Sequence, residues 1–561
     1  MTAAKTLRKA VSRHLRAAAG VFAGAARNAA LRTLAFALVG SGGAEGVYAV
    51  GIAVFAYERG GAAAVGLVTL WRMLLAAAAT PFASVLGDRL RRERVMLVTD
   101  AVRTATLAVM GVAVALDAPA LVVYGLAGLL AVVSTAFWPA QAAFLPSLAR
   151  TPGELTAGNV MTSSVEGLGS FIGPAVGGVV LIAGGAAAVF FAAAVGFLLS
   201  TLSIARLPGS DARPAAVAKA RVSDELVEGF RVVAVEPRAR LLVGLFAAQM
   251  LVAGALNVLV VVSAFQLLDA GQSGVGYLGS AVGFGGVLGL VGGAALVGSR
   301  RLAEAFGLGL VLWGLPLAVI GVWPSEGAAL VLLVLAGTGY TVTDVAGFTL
   351  LQRVVDDAVL ARVFGTLESL ALAATGAGAL LAPLLIDGLG VRGALGATGA
   401  FVPLVMLVAW RSLRAVDPGA AVPVELLDLL RSAPIFAELP QPALERVAAR
   451  TAVESHDAGA TIFRQGDRGD RFYVIEDGSV EIDVDGASVR ILGPRDFFGE
   501  IGLLHDVPRT ATAVAWTPVR LVAVDGPAFV AAVTGHTPSA RAAEHVVAAR
   551  LQFRTPGGAL A

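Results

Sequence analysis

The chain has 561 residues, 57% of them hydrophobic and only 15% charged, with a formal net charge of +2. That composition is far too apolar for a soluble protein of this length, so most of the chain must reside in a lipid bilayer. Lack of cysteine excludes disulfides, thiolate metal sites and cysteine catalysis, five histidines leave little for a histidine metal site, and the small net charge gives nucleic acid no electrostatic footing as a partner.

Residues 1–32 carry Lys5, Arg8, Lys9, Arg13, Arg16, Arg27 and Arg32 among alanines. With no compact apolar core and cleavage site following, this reads as a basic cytoplasmic arm at the membrane surface rather than a signal peptide. From Thr33 to Arg411 apolar runs of roughly 20 residues recur, each long enough to cross a hydrocarbon core as a helix. They predict spans near 33–56, 62–86, 95–116, 119–143, 158–183 and 186–206, then 241–268, 275–297, 303–322, 327–349, 363–388 and 391–411. These twelve make an all-α membrane domain of two six-helix groups, 33–206 and 241–413, split by a polar loop over 207–240 and followed by a linker over 414–428.

Charge in the loops orients the spans. Arg89, Arg91, Arg92 and Arg94, then Arg150, then Arg213, Lys219, Arg221, Arg231, Arg238 and Arg240, then Arg300, Arg301, Arg353 and Arg362 share one side. The other side shows mainly Glu58 with Arg59, Asp117, Asp269, Glu326, and Asp387 with Arg392. Positive charge marks the cytoplasmic face, so a multi-pass protein of the plasma membrane with both ends inside the cell is expected.

Two sequence stretches carry a resemblance. Asp88-Arg89-Leu90-Arg91-Arg92, between the second and third spans, is similar to the cytoplasmic loop motif of major facilitator superfamily transporters. Arg91 and Ser84 replace glycines of that motif, and Glu93 stands where a base is common. Gly169-Ser-Phe-Ile-Gly173-Pro174-Ala-Val-Gly177-Gly178 in the fifth span resembles the glycine-proline motif of exporter and antiporter members; Val160 takes a position where the longer motif has glycine. Proline kinks a helix and flanking glycines let a neighbour approach closely, so plain small-residue packing is the competing reading. The resemblance implies two six-helix halves around a transport path, with the loop motif latching helix ends.

Charges inside spans are expensive and therefore functional candidates. Asp100 and Arg103, three residues apart on one face of the third span, are expected to pair with each other or with the loop latch. Glu45, Arg72, Glu166, Asp344 and Glu368 are the others. Desolvation favours the protonated form of a carboxylate, which suits it to carry a proton. Glu45, Glu166 and Asp344 are the candidates for proton coupling; the alternative for Glu166 and Glu368 is helix capping. Gly283-Phe-Gly285-Gly286-Val-Leu-Gly289 brushes against a dinucleotide fingerprint, but no strand precedes it, and helix packing explains it better.

After Asp417-Pro418-Gly419 the composition changes. Short amphipathic helices over 429–448 give way beyond Gly459 to period-two strands from Ile462, over Phe472–Ile475, Val480–Val484 and Val489–Leu492, and within Val514–Val524. Asp477-Gly478 and Asp485-Gly486 have hairpin-turn chemistry, and a last helix is expected over Arg541–Phe553. Between the strands lies Gly499-Glu500-Ile501-Gly502-Leu503-Leu504, then Pro508-Arg509-Thr510-Ala511-Thr512. Glycine allows a sharp turn, the first amides of a helix lack partners within it, and arginine offers a planar fork of donors; together they suit a phosphate, while Glu500 calls for a hydroxyl beside it.

That stretch closely resembles the phosphate-binding cassette of cyclic nucleotide-binding domains, and the whole of 429–553 resembles such a domain, which implies an α+β jelly-roll barrel ahead of a short tail at 554–561. The resemblance implies that Glu500 takes the ribose 2′-hydroxyl. It implies too that Arg509 and the amides of Ile501, Gly502 and Leu503 take the cyclic phosphate, and that the last helix closes over the base. Thr510 leaves cAMP and cGMP both open. The expected protein is a secondary transporter and no enzyme, a proton-coupled exporter of small amphipathic molecules regulated by cAMP or cGMP. A nucleotide-responsive receptor or scaffold is the alternative. A nucleotide-gated channel fits less well, for want of a carbonyl filter loop and an arginine-laddered helix.

Overall fold

The computed structural model describes residues 28–148, 152–207, 222–294, 301–355, 357–416, 424–437, 439, 441–534 and 537–552. The expected basic arm up to residue 27 and the tail from 553 lie outside this set. The described residues fall into two compact units, those within 1–350 and 361–417, and those within 351–360 and 418–561.

The first unit is built of helices α1 (Ala29–Arg89), α2 (Arg92–Ala115), α3 (Ala120–Ser134), α4 (Phe137–Leu148), α5 (Pro152–Ile204), α6 (Val222–Val235), α7 (Pro237–Gln266), α8 (Gly271–Ala294), α9 (Leu302–Val322), α10 (Glu326–Val354) and α11 (Asp357–Arg414). Among the described residues, nine helical stretches are long and apolar enough to cross a membrane. Three of the long helices contain non-helical residues, Gly60–Gly61 in α1, Gly185 in α5 and Gly390 in α11. Each break falls in a gap that the apolar runs predicted. The expected span over 119–143 instead bends at Thr135–Ala136, where the Thr135 hydroxyl donates to the Val132 carbonyl at 2.7 Å, so α3 and α4 are separate helices. Within the polar loop expected over 207–240, α6 is a further helix.

Large apolar side chains such as Leu121 and Val408 stand 80% and 86% exposed, the arrangement of helices whose outer faces meet hydrocarbon rather than water. Inside, backbones meet at small residues. A Cβ on Gly173 of α5 would lie 2.7 Å from the Gly46 Cα of α1, and one on Gly169 3.0 Å from the Gly42 carbonyl carbon; Gly178 of α5 faces Gly276 of α8 at 3.0 Å. The glycine-proline stretch is thus a packing face on two sides, and a Cβ on Gly285 of α8 would likewise meet the Val334 carbonyl oxygen of α10 at 2.0 Å. Gly173→Leu is expected to cost about 1–3 kcal/mol or more, because backbone cannot yield as a side chain can. A lowered unfolding temperature in detergent checks it; an unchanged one would show that the crossing is loose.

The second unit combines α12 (Val424–Ser432), α13 (Pro434–Ala437), α14 (Gln441–Ala448), α15 (Glu500–Leu504), α16 (Gly526–Thr534) and α17 (Thr537–Gln552) with two four-stranded antiparallel sheets. The strands are β1 (Thr451–His456), β2 (Thr461–Phe463), β3 (Arg471–Asp477), β4 (Val480–Val484), β5 (Ala487–Leu492), β6 (Phe497–Phe498), β7 (Thr512–Ala515) and β8 (Val519–Asp525). Sheet order is β1-β8-β3-β6 and β2-β7-β4-β5. Strand β3 is buried on both faces, and the pleat explains why it reads as an unbroken apolar run. Phe472 and Val474 join Phe436, Phe529 and Ala543 in a core with the helices, while Tyr473 and Ile475 join Phe498, Ala513 and Leu521 between the sheets.

Candidate functional site

A cavity of about 800 Å³ opens inside the first unit, lined by α1, α5 and α7 to α11. Its polar side chains include Glu45, Arg72 and Asp344. Asp344 Oδ1 accepts from Gln249 Nε2 at 3.0 Å, and the Gln249 carbonyl accepts from Trp313 Nε1 at 3.4 Å. Trp313 in turn meets Tyr340 edge-on at 5.1 Å. Arg72 sets its guanidinium 4.8 Å from the Tyr48 ring centre. Of the three proton-coupling candidates, Glu45 and Asp344 therefore share one cavity, while the side chain of Glu166 lies outside the described set. At one end Tyr57 stacks on Phe265 at 4.6 Å and accepts from Gln266 Nε2 at 2.8 Å, and Glu58 accepts from Gln272, so α1 is tied to α7 and α8 there.

Asp100 and Arg103 do pair, at 3.2 Å and with both side chains fully buried. Arg103 donates through Nε to Ser134 Oγ at 2.9 Å, through Nη1 to Ser41 Oγ at 3.2 Å and through Nη2 to the Ser134 carbonyl at 3.2 Å. Its plane sits 5.0 Å from each of Phe137 and Phe197. Asp100 Oδ2 accepts from Ser200 Oγ at 2.5 Å. The pair is knotted into α1, α3 and α5, and neither member lines the cavity. In the loop motif, Arg92 donates to the Ala143 carbonyl of α4 at 2.6 Å; the side chains of Asp88 and Arg89 lie outside the described set.

In the second unit Gly499 has φ +91°, and a Cβ there would sit 2.8 Å from Arg509 Nη1, so only glycine lets the chain turn into α15 at this point. Arg509 is buried at 4% exposure. Nη1 donates to the Gly499 carbonyl at 2.9 Å and Nη2 to the Arg471 carbonyl at 2.7 Å, with Asp470 Oδ1 3.6 Å away. The guanidinium lies 4.3 Å from the Phe463 ring centre, and its Nε is buried without a partner. Burial lowers its pKa, against Tyr473, Asp470, Glu500 and Asp467, which act the other way; an arginine stays cationic regardless. Glu500 is 1% exposed and Gly502 is buried; Ile501, Leu503, Thr510 and Ala511 are half-buried. The cassette thus gathers a fixed cation, a buried carboxylate and the first turn of a helix within a few residues.

The sequence profile of the Major Facilitator Superfamily matches residues 34–365, more than half of the chain. The chain belongs to the Major Facilitator Superfamily. This superfamily member also carries a C-terminal cyclic nucleotide-binding domain, whose profile matches 453–536. That segment is 37% identical over 102 residues to a cAMP-dependent protein kinase regulatory subunit of Schizosaccharomyces pombe, and the match takes in 18% of this chain and 25% of that protein. It is 34% identical over 112 residues to the cGMP-dependent protein kinase egl-4 of Caenorhabditis briggsae, 19% of this chain and 15% of that one. The chain therefore spans a quarter or less of the length of these relatives. Among solved structures, the sensor domain of the transcriptional regulator DNR from Pseudomonas aeruginosa is 27% identical, covering 24% of this chain and 95% of that one, with a TM-score of 0.21.

Sequence reading found the cassette of this superfamily member but missed what holds its arginine. Phe463, Asp470, the Arg471 carbonyl and Tyr473 come from strands and a loop some 40 residues upstream, and a backbone carbonyl carries no sequence signal. Gln249, Trp313 and Tyr340 were missed likewise; Gln249, a polar residue inside an apolar run, was the signal that could have found them.

Proposed function

We propose that this chain is a secondary carrier that moves small amphipathic molecules outward in exchange for protons, at a rate set by cAMP or cGMP bound to its C-terminal domain. The observation that carries this reading is the cavity of about 800 Å³, walled by helices from both sides of the 207–240 loop, with carboxylates and an arginine among apolar side chains. Twelve crossings account for it, since three of the nine long stretches or their parent helices break at Gly60–Gly61, Gly185 and Gly390. The halves are 33–206 and 241–413, and the regulatory domain 429–553. The membrane of this reading is the plasma membrane, and loop charge favours both termini inside the cell, which puts the Tyr57–Gln266 tie at the outer end and supports a conformer closed outside.

Asp344 is the principal proton carrier of this reading, because its partner is the neutral amide of Gln249 rather than a cation; Glu45 and Glu166 are the further carriers. Asp100, Arg103, Asp88, Arg89 and Arg92, with Gly169, Gly173, Pro174, Gly177 and Gly178, serve the gating motion as fixed ties and close crossings. In the tail, Gly499 to Leu503, Arg509, Thr510 and Ala511 form the nucleotide pocket, in keeping with relatives named for cAMP and cGMP.

Flux of a panel of amphipathic dyes into proteoliposomes of the full chain, with and without an imposed pH gradient, tests the carrier. Asp344→Asn is expected to reduce gradient-driven flux to background while dye exchange without a gradient persists. Equal gradient-driven flux in both proteins would remove proton coupling through Asp344.

A further inference from the structure

Glu45, Arg72 and Asp344 line the cavity, Glu45 exposed and the other two half-buried, and among the described residues none of the three belongs to an ion pair, whereas the fully buried Asp100 and Arg103 pair with each other. The three are not equivalent. A carboxylate in a low-dielectric site escapes the cost of its charge by taking a proton, and Asp344 already has a donor in Gln249. A guanidinium cannot shed its proton, so Arg72 is cationic in every state of the cycle. Tyr48 offers it a ring face at 4.8 Å, which attracts the charge, while Arg72 Nε is buried without a partner. An arginine held beside a cavity with an unpartnered Nε donor is placed to take an oxyanion.

We propose that Arg72 is the recognition residue for an anionic head on the cargo, which makes the transported class amphipathic organic carboxylates. This rests on the carrier reading above. The planar fork matches a carboxylate in a two-point grip. Met73, Leu256, Val260 and Phe348, from the same cavity, supply an apolar wall for the rest of the molecule. Thr69, one turn before Arg72 on α1, gives its hydroxyl to the Val65 carbonyl at 2.8 Å, which leaves the guanidinium as the stronger donor on that wall.

The test uses the full chain in phosphatidylcholine nanodiscs and three probes of one shape: 1-naphthoate, 1-naphthylmethylammonium and 1-naphthylmethanol. Naphthoate is expected to bind most tightly. Arg72→Gln is expected to weaken it by about tenfold to hundredfold, the loss of one charged hydrogen-bonding partner, and to leave the ammonium probe unchanged. Arg72→Lys, which keeps the charge and loses the fork, is expected to show a smaller loss in the same direction and decides the matter if the glutamine variant does not fold. Tighter binding of the cation or the alcohol, naphthoate binding unaffected by both variants, or binding of no probe would overturn the assignment. So would displacement of naphthoate by phosphatidylglycerol added to the nanodiscs, which would make a lipid headgroup the occupant. Wild-type proteoliposomes that carry the ammonium probe but not naphthoate would sink the anion site and leave the carrier standing; flux of none of the three would sink both.

Discussion

Arg103→Leu is expected to destabilise the membrane unit by about 3–5 kcal/mol, because it leaves the Asp100 carboxylate buried with no cation. Asp100→Leu is expected to cost a similar amount for the opposite reason, with a guanidinium stranded between Phe137 and Phe197. The double replacement by leucine is expected to recover most of the loss, since two apolar side chains need neither charge nor the three serines around them. Unfolding of the four proteins in detergent, analysed as a double-mutant cycle, measures this directly. Single variants as stable as the parent would show that water reaches the pair, and a double variant as damaged as the sum of the singles would show that the serine network, rather than charge balance, holds α1, α2, α3 and α5 together.

Arg509→Ala is expected to weaken the tail domain by about 3 kcal/mol and its cyclic nucleotide affinity by about a hundredfold, each figure reflecting charged hydrogen bonds with no substitute. The two effects have separate causes. Stability falls because the carbonyls of Gly499 and Arg471, which now accept at 2.9 and 2.7 Å, lose their donor in a buried place. Affinity falls because the cation beside α15 is gone. Arg509→Lys separates them, keeping the charge but not the two-point grip on the carbonyls: domain stability is expected to drop nearly as far while part of the affinity survives. Calorimetric titration with cAMP and cGMP, beside thermal unfolding of the same proteins, reads both. An alanine variant that binds as the parent does would place the phosphate elsewhere.

What was legible in the sequence followed from how local each signal is. Apolar runs and glycine pairs are local, so the helix breaks at Gly60–Gly61, Gly185 and Gly390 coincide with the gaps read from sequence. The i, i+3 spacing of Asp100 and Arg103 is local too, and of the two partners it allowed, each other or the loop latch, the structure shows the first. Their other partners, Ser41, Ser134 and Ser200, sit 31 to 100 residues from the charge they touch, and a serine in an apolar run announces nothing. Strand β1 was missed because Thr451–His456 is nowhere fully buried, so it lacks the alternation that marks a strand; it forms because its backbone pairs with β8. Strand β6 is two residues long and exists only as a partner of β3. The fork of Arg509 was expected to be open to a phosphate, whereas both terminal nitrogens bind carbonyls of the domain. The reason is spatial: the loop over 466–470 and the turn at Gly499 close around the side chain, and that closure depends on strand order rather than on the cassette.

The central claim, that a nucleotide bound beside Arg509 sets the rate of a membrane carrier, is tested most directly by one flux assay. Proteoliposomes of the full chain are loaded with a transported dye, and efflux is followed with and without cAMP or cGMP on the side that carries the tail, for the parent and for Arg509→Ala. Ligand can shift transport only by as much as it prefers one state of the carrier over another. A nucleotide-dependent change in the parent rate that vanishes in the alanine variant is the predicted result. A parent that binds nucleotide yet moves dye at the same rate with and without it would contradict the account.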